Sequence, residues 1–184
     1  MTSDRDRWNE RYRSGEEGGT PLLLGRELHL FPRSGRALDV AGGTGQAAAI
    51  LAARGMSVTV ADVSDVALEQ AAARAERSNL DVTTLCVDLT AEPLPAGPWD
   101  LITCFNYLDR ALFPAMIEAL APDGLLALTI ATRTNLERNE HPSARFLLDD
   151  GELPTLLAEL SLLHYREGWG LDGRHCAEAI GKRL

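Results

Sequence analysis

Residues 38–45 read Leu-Asp-Val-Ala-Gly-Gly-Thr-Gly, an apolar run that breaks into glycines and passes at once into a helix-compatible segment, Gln46 to Arg54. A buried strand that ends in glycines and opens a helix is how an α/β protein brings its backbone close to a nucleotide-like ligand. A Cβ at those positions would hold the ligand off, and the tight turn needs backbone angles that other residues avoid. The segment commits the chain to alternating strands and helices without saying which ligand is held.

The rest of the composition narrows the choice. At 184 residues the chain is one domain on the usual length prior, and 45% hydrophobic with 24% charged residues is ordinary for a soluble globular protein. Its apolar runs are strand-sized, which excludes a membrane span, and the charged stretch Met1 to Arg13 has no signal-peptide core. A net charge of −9 with a single lysine, Lys182, argues against nucleic acid and for a small neutral or soft substrate. The cysteines Cys86, Cys104 and Cys176 read as buried free thiols of a cytoplasmic protein. The four histidines show no metal-ligand spacing with them, so no metal site is expected.

Residues 1–34 form a lead-in or lid, in which Trp8 and Tyr12 are four apart and share one helix face. Ser14 to Pro21 reads as a mobile loop and Glu27 to Phe31 as a short helix. The domain proper, 35–184, alternates: strand Arg36–Ala41, helix Thr44–Arg54, strand Ser57–Ala61, helix Ser64–Ser78, strand Val82–Val87 and strand Trp99–Phe105. Three prolines break residues 91–98. Helix Asp109–Leu120, with Pro114 interrupting it early, leads to a turn at Pro122-Asp123-Gly124 and strand Leu125–Ile130. A long polar loop, Thr132–Arg145, precedes helix Gly151–Leu160. The strand-like runs Ser161–Trp169 and His175–Arg183 flank Asp172-Gly173, a hairpin signal. Right-handed crossovers make the first part a parallel sheet covered on both faces, a Rossmann-like doubly wound α/β fold.

Ligands of such sheets bind beyond the carboxyl ends of the strands. Those ends carry the glycine loop Ala41-Gly42-Gly43-Thr44-Gly45, then Asp62 with Val63, Asp88 with Leu89, and Phe105-Asn106-Tyr107. Asp62 has the spacing of a carboxylate that accepts hydrogen bonds from both ribose hydroxyls, and Asp88 stands one strand further out, within reach of an adenine amino group.

The run from Leu38 to Gly45 resembles the first motif of class I S-adenosylmethionine-dependent methyltransferases, acidic-x-Gly-x-Gly-x-Gly. It matches at Asp39, Gly43 and Gly45, with Ala41 in place of the first glycine. Asp62 and Asp88 match the family's ribose and adenine acids, Trp99 to Cys104 its fourth motif, and Leu120 to Leu126 the turn and strand that follow. The resemblance covers nearly the whole chain and implies sheet order 3-2-1-4-5-7-6 with strand 7 antiparallel. It also implies S-adenosylmethionine as cofactor and S-adenosylhomocysteine as product. Trp8 to Arg13, Phe105 to Phe113 and His141 to Leu148 leading into Gly151-Glu152-Leu153 are similar to the small bacterial tellurite-resistance and thiopurine-like members.

That resemblance implies direct in-line methyl transfer to a small acceptor: a thiol, a metalloid oxyanion or a small heterocycle. Phe105 would face the sulfonium, Asn106 and Tyr107 would line the transfer site, and Trp8 and Tyr12 would cap the cofactor. His141 and Arg145, on the loop after strand five, are candidates for holding the substrate. The chain is expected to act as a monomer or homodimer. Two other readings stand beside this one. Gly43 to Ala48 also satisfies the looser G-x-G-x-x-A pattern of a nicotinamide-dependent oxidoreductase. A non-catalytic S-adenosylmethionine-binding regulatory module is the other.

Overall fold

The computed structural model describes residues 3–15 and 19–184. The expected mobile loop Ser14 to Pro21 therefore lies partly outside the described residues. Seven strands form one sheet: β1 (Arg36–Val40), β2 (Ser57–Asp62), β3 (Val82–Cys86), β4 (Trp99–Phe105), β5 (Leu120–Ala131), β6 (Ser161–Trp169) and β7 (His175–Lys182). Their order is β3-β2-β1-β4-β5-β7-β6. β7 runs antiparallel to both β5 and β6, and the pairs from β3 across to β5 are parallel.

The buried strands are near-continuous apolar runs because both sheet faces are covered. On one face Leu23 and Leu24 of α2 (Leu22–Glu27), Leu51 of α3 (Gln46–Ala53) and Leu68 of α4 (Asp65–Arg77) pack with Leu101, Ala127 and Ile180 of the sheet. On the other, Phe113 and Met116 of α5 (Leu112–Glu118) and Leu153 of α6 (Leu153–Leu156) pack with Ile102, Leu126 and Leu128. The remaining helix, α1 (Asp4–Arg13), opens with a reciprocal capping box between Ser3 and Asp6.

Four expectations need correction. Pro122-Asp123-Gly124 is a kink inside β5, where the β4–β5 register shifts between Trp99 and Leu101. Gly124 is required there because a Cβ would lie 2.8 Å from the carbonyl oxygens of Ala121 and Trp99. Pro114 does not interrupt a helix, since α5 begins only at Leu112 and its first turn needs no proline N–H. The helix expected over Gly151–Leu160 shrinks to α6, with turns on either side. Cys86 is exposed because β3 is an edge strand, whereas Cys104 and Cys176 are buried as free thiols.

The loop after β5 is more ordered than its polar sequence suggests. It contains two short 3-10 turns, Arg133–Glu137 and Ala144–Phe146, and is organised by Asn135, which is fully buried. The Asn135 side-chain amide donates to the His141 carbonyl at 2.9 Å and accepts from the His175 backbone N–H at 3.0 Å. Among the described residues no helix is long and apolar enough to cross a membrane.

The two-faced core predicts a contrast. Leu126→Ala, at a fully buried position of β5, should cost about 2–5 kcal/mol in urea unfolding. Leu171→Ala, at the exposed hairpin tip, should change stability by less than about 0.5 kcal/mol.

Candidate functional site

The glycine loop is held by carboxylates from beneath and by a helix from above. Asp39 lies in the middle of the sheet, in register with Val60 and Thr103, and is 1% exposed. Its Oδ1 accepts from the Thr103 hydroxyl at 2.7 Å, and its Oδ2 has no partner. Burial raises its pKa from 3.8 to about 7, Thr103 opposes the rise, and the nearby charge of Asp62 adds to it. Gly42 is glycine for a steric reason: a Cβ would come within 2.5 Å of the Asp39 Oδ2 and 2.8 Å of Val60.

The loop then turns through left-handed backbone at Ala41 (φ 52°), Gly43 (φ 53°) and Gly45 (φ 70°) before α3 starts. Ala41 occupies a conformation that costs an alanine about 1–2 kcal/mol. Where the motif it resembles has glycine, this chain holds the same backbone under strain.

Asp62, at the end of β2, is turned inward. Its Oδ2 accepts the Gly43 N–H at 2.8 Å and its Oδ1 accepts the Ser64 N–H at 2.9 Å. Burial raises its pKa, and these backbone N–H groups, with that of Val63, oppose the rise. A carboxylate offers about four lone-pair sites, so acceptor capacity remains for a ligand hydroxyl. Val87, after β3, donates its N–H to the Asp62 carbonyl at 2.9 Å, which brings the next strand end alongside. There Asp88 accepts both the hydroxyl and the N–H of Thr90, at 2.6 and 3.0 Å. Those bonds, and the charge of Arg5, hold its carboxyl below the usual range, so it is an ionised acceptor at neutral pH. Leu89 beside it is buried.

Helix α1 lies over this edge. Arg5 donates to the Val63 carbonyl at 3.1 Å, Gln70 donates to the Tyr12 carbonyl at 3.3 Å, and the Ser64 hydroxyl donates to Asn9 Oδ1 at 2.7 Å. Ser64 also caps α4 through the Ala67 N–H, so one hydroxyl joins the start of α4 to the middle of α1. Trp8 and Tyr12 stack with ring centroids 5.9 Å apart. The Tyr12 hydroxyl sits 2.6 Å from where a Cβ on Gly43 would be.

On the other side of the loop β4 ends in Phe105, which is buried against the α2–α4 face, and exposed Asn106 in left-handed backbone at φ 60°. Asn106 donates its N–H to the Thr129 carbonyl at 2.8 Å and accepts from Arg174 at 2.7 Å. Tyr107 packs against the opposite core; burial, then the charges of Asp109, Asp88 and Asp4, push its hydroxyl up to about 12. At neutral pH that phenol is a proton donor and not a base.

The strand-end candidates Asp39, Ala41, Gly42, Gly43, Gly45, Asp62, Val63, Asp88, Leu89, Phe105, Asn106 and Tyr107, with Trp8 and Tyr12 above them, thus occupy one sheet edge. The loop carrying His141 and Arg145 is bonded to the start of β7 through Asn135 and Asn139, and to Asp149 and Asp150 through Arg133 and Thr134. His141 contributes its carbonyl there, and the Arg145 guanidinium lies 4.3 Å from the centre of the Phe146 ring. Asn9, Thr103 and Arg174 were not anticipated. Each is a polar residue whose partner is distant in the chain, and nothing in local spacing marks it.

Residues 37–124 match the family described as a methyltransferase domain. Over 106 residues the chain is 34% identical to the ubiquinone biosynthesis O-methyltransferase of Psychrobacter arcticus, a match covering 53% of this chain and 41% of that protein. The aligned part is therefore less than half the length of that relative. The crystal structure of TehB from Haemophilus influenzae superposes with a TM-score of 0.77 at 17% identity, covering 98% of this chain and 67% of the other. Magnesium protoporphyrin IX methyltransferase (ChlM) from Synechocystis PCC 6803, crystallised with bound SAH, gives 0.75 at 16% identity over 98% and 97%.

Two outcomes are expected at this edge. Because the folded-state pKa of Asp39 is raised, its ionisation opposes folding: stability is lost as pH rises from about 4 to about 7 and the loss is complete above. Asp39→Asn should therefore gain on the parent over that window and keep a constant advantage beyond it, read by thermal unfolding across pH. Ala41→Gly should relieve strain at a smaller entropic cost, leaving the variant about 0.5–1 kcal/mol more stable by urea titration.

Proposed function

We propose that the chain carries a class I S-adenosylmethionine-dependent methyltransferase domain, a reading supported by its match over residues 37–124 to the methyltransferase domain family, and that it transfers a methyl group from S-adenosylmethionine to a small-molecule acceptor. The observation that carries the proposal is the inward-turned Asp62, which fixes the glycine loop through Gly43 while keeping acceptor sites for a ribose. The donor set suits the cofactor: a carboxylate at the end of β2, an ionised carboxylate at Asp88, and a loop whose backbone comes close because it lacks side chains.

In this reading Asp62 holds the ribose, Asp88 and the Leu89 backbone the adenine side, and the loop from Ala41 to Gly45 the remainder of the cofactor. The cofactor supplies a methyl on a cationic sulfur, and a lone pair of the acceptor forms the new carbon bond while the old carbon–sulfur pair stays on sulfur as a neutral thioether. What the protein contributes is placement and dryness. Helix α1, with Trp8 and Tyr12, acts as a lid that excludes water, while α2 of the same lead-in packs into the core of the domain. The Phe105 ring favours positive charge beside it, and Asn106 and Tyr107 line the transfer site. Tyr107, held protonated, orients an acceptor through hydrogen bonding and does not deprotonate it. A soft nucleophile such as a thiolate or metalloid oxyanion needs no base. The second reading is a module that binds the cofactor without turning it over.

Isothermal titration separates these readings from a nicotinamide enzyme. The protein should bind S-adenosylhomocysteine at micromolar concentration and ignore NADH. Asp62→Asn should weaken that binding about tenfold or more with an unchanged circular dichroism spectrum. Unaltered affinity in the variant would remove Asp62 from the site. A labelled-methyl assay over thiol, metalloid and heterocyclic acceptors distinguishes the enzyme from the binding module.

A further inference from the structure

A second recess lies one strand away from Phe105. A cavity of ≈ 70 Å³ is lined by Thr20, Asn106, Thr129, Arg166, Arg174 and Glu178, among others. The antiparallel register of β5 and β7 places Thr129 opposite Glu178, and the parallel register of β4 and β5 places Phe105 opposite Thr129. Thr20, on the wall across from the sheet, donates to the Gln46 side chain at 3.4 Å, at the first residue of α3. The recess therefore shares Asn106 with the transfer site and reaches the foot of the glycine loop. Its volume admits about five water-sized groups at ~10–15 Å³ each, so it suits a compact molecule.

The polar groups around it are unequally satisfied. Glu178, 4% exposed, is neutralised by Arg26 and lies 3.8 Å from Arg166. Thr129 is 6% exposed and its hydroxyl has no partner in the protein, although a buried hydroxyl left unpaired is costly. Arg174 gives one guanidinium N–H to the neutral side chain of Asn106. Among the described residues no carboxylate pairs with that guanidinium; Asp172, which also lines the cavity, accepts the Arg174 backbone N–H instead, at 3.2 Å. A guanidinium has five donors arranged for planar oxyanion recognition, and most of these remain.

We propose that this cavity is the acceptor site and that its occupant is a small molecule bearing a carboxylate or an inorganic oxyanion, gripped by Arg174 with the Thr129 hydroxyl as a second donor. The proposal rests on the methyltransferase reading above and names the chemical class of its acceptor. Asn106 orients the Arg174 fork toward the anion, and the Glu178 charge, already compensated, does not repel it. The rest of the acceptor faces Asn106, and with it the transfer site.

The test is isothermal titration of the full chain saturated with S-adenosylhomocysteine. The carboxylates are acetate and thioglycolate, the inorganic oxyanions phosphate and selenite, and the neutral partners acetamide and 2-mercaptoethanol. At least one anion class should bind about tenfold more tightly than the neutral probes. Arg174→Gln should abolish that preference and leave affinity for S-adenosylhomocysteine within about twofold. Binding confined to the carboxylates or to the inorganic oxyanions tells which source the site serves. Thr129→Val should weaken the anion while the unliganded protein becomes no less stable to heat, because an unpaired hydroxyl is removed. Equal binding of charged and neutral probes, no binding by any probe, or an anion affinity indifferent to Arg174 would overturn the proposal. Failure of the parent to bind S-adenosylhomocysteine strikes instead at the reading beneath it.

Discussion

The hydrogen bond from the Gly43 N–H to the Asp62 carboxylate is the contact on which this edge of the molecule depends. It ties the loop after β1 to the end of β2 at the point where both strands stop pairing. The same carboxylate receives the Ser64 N–H, Ser64 caps α4, and the Ser64 hydroxyl reaches Asn9 of α1. The loop, the start of α4 and helix α1 are thus coupled through the side chains of Asp62 and Ser64. A charged acceptor makes such bonds stronger than neutral ones, and their burial shields them from competing water.

This arrangement places two carboxylates close together in the interior, and they do not share the burden equally. Asp62 is compensated by backbone N–H groups, whereas Asp39 has one hydroxyl and one orphaned oxygen. Its pKa near 7 is raised by burial first and by the charge of Asp62 second, against the bond from Thr103. Gly42 leaves Asp39 its room, so the absent side chain and the buried acid are two halves of one constraint.

The glycine loop and the strand-end acids could be read from the sequence because each depends on neighbours close in the chain, whereas the sheet order came from the family resemblance. Glycines at 42, 43 and 45, an apolar run before them and β-branched runs after each helix leave few alternatives. What could not be read depends on pairing. Asn9 and Asn135 look like surface residues until Ser64 and His175 are brought to them. Pro122-Asp123-Gly124 has the composition of a turn, and only the partner strand β4 shows it as a kink in a continuing strand. Thr129 and Glu178 meet because β7 runs antiparallel, and the Asp172-Gly173 signal gives the hairpin but not its register. The order in the loop that carries His141 and Arg145 is likewise invisible locally, because it comes from Asn135, which bonds the His141 carbonyl and the His175 N–H.

The reversed direction of β7 has an evolutionary corollary. The bonds around the glycine loop and the acids beside it, from Arg5–Val63 to Asp39–Thr103, fall within residues 5–103. The cationic wall of the neighbouring recess comes from the terminal hairpin. On the proposed reading of that recess, a lineage exchanges its acceptor by rewriting the last two strands, with the residues of the first half inherited untouched. The hairpin is a replaceable bit on a fixed handle, and its edge position in the sheet lets its residues change without disturbing the five parallel strands beside it.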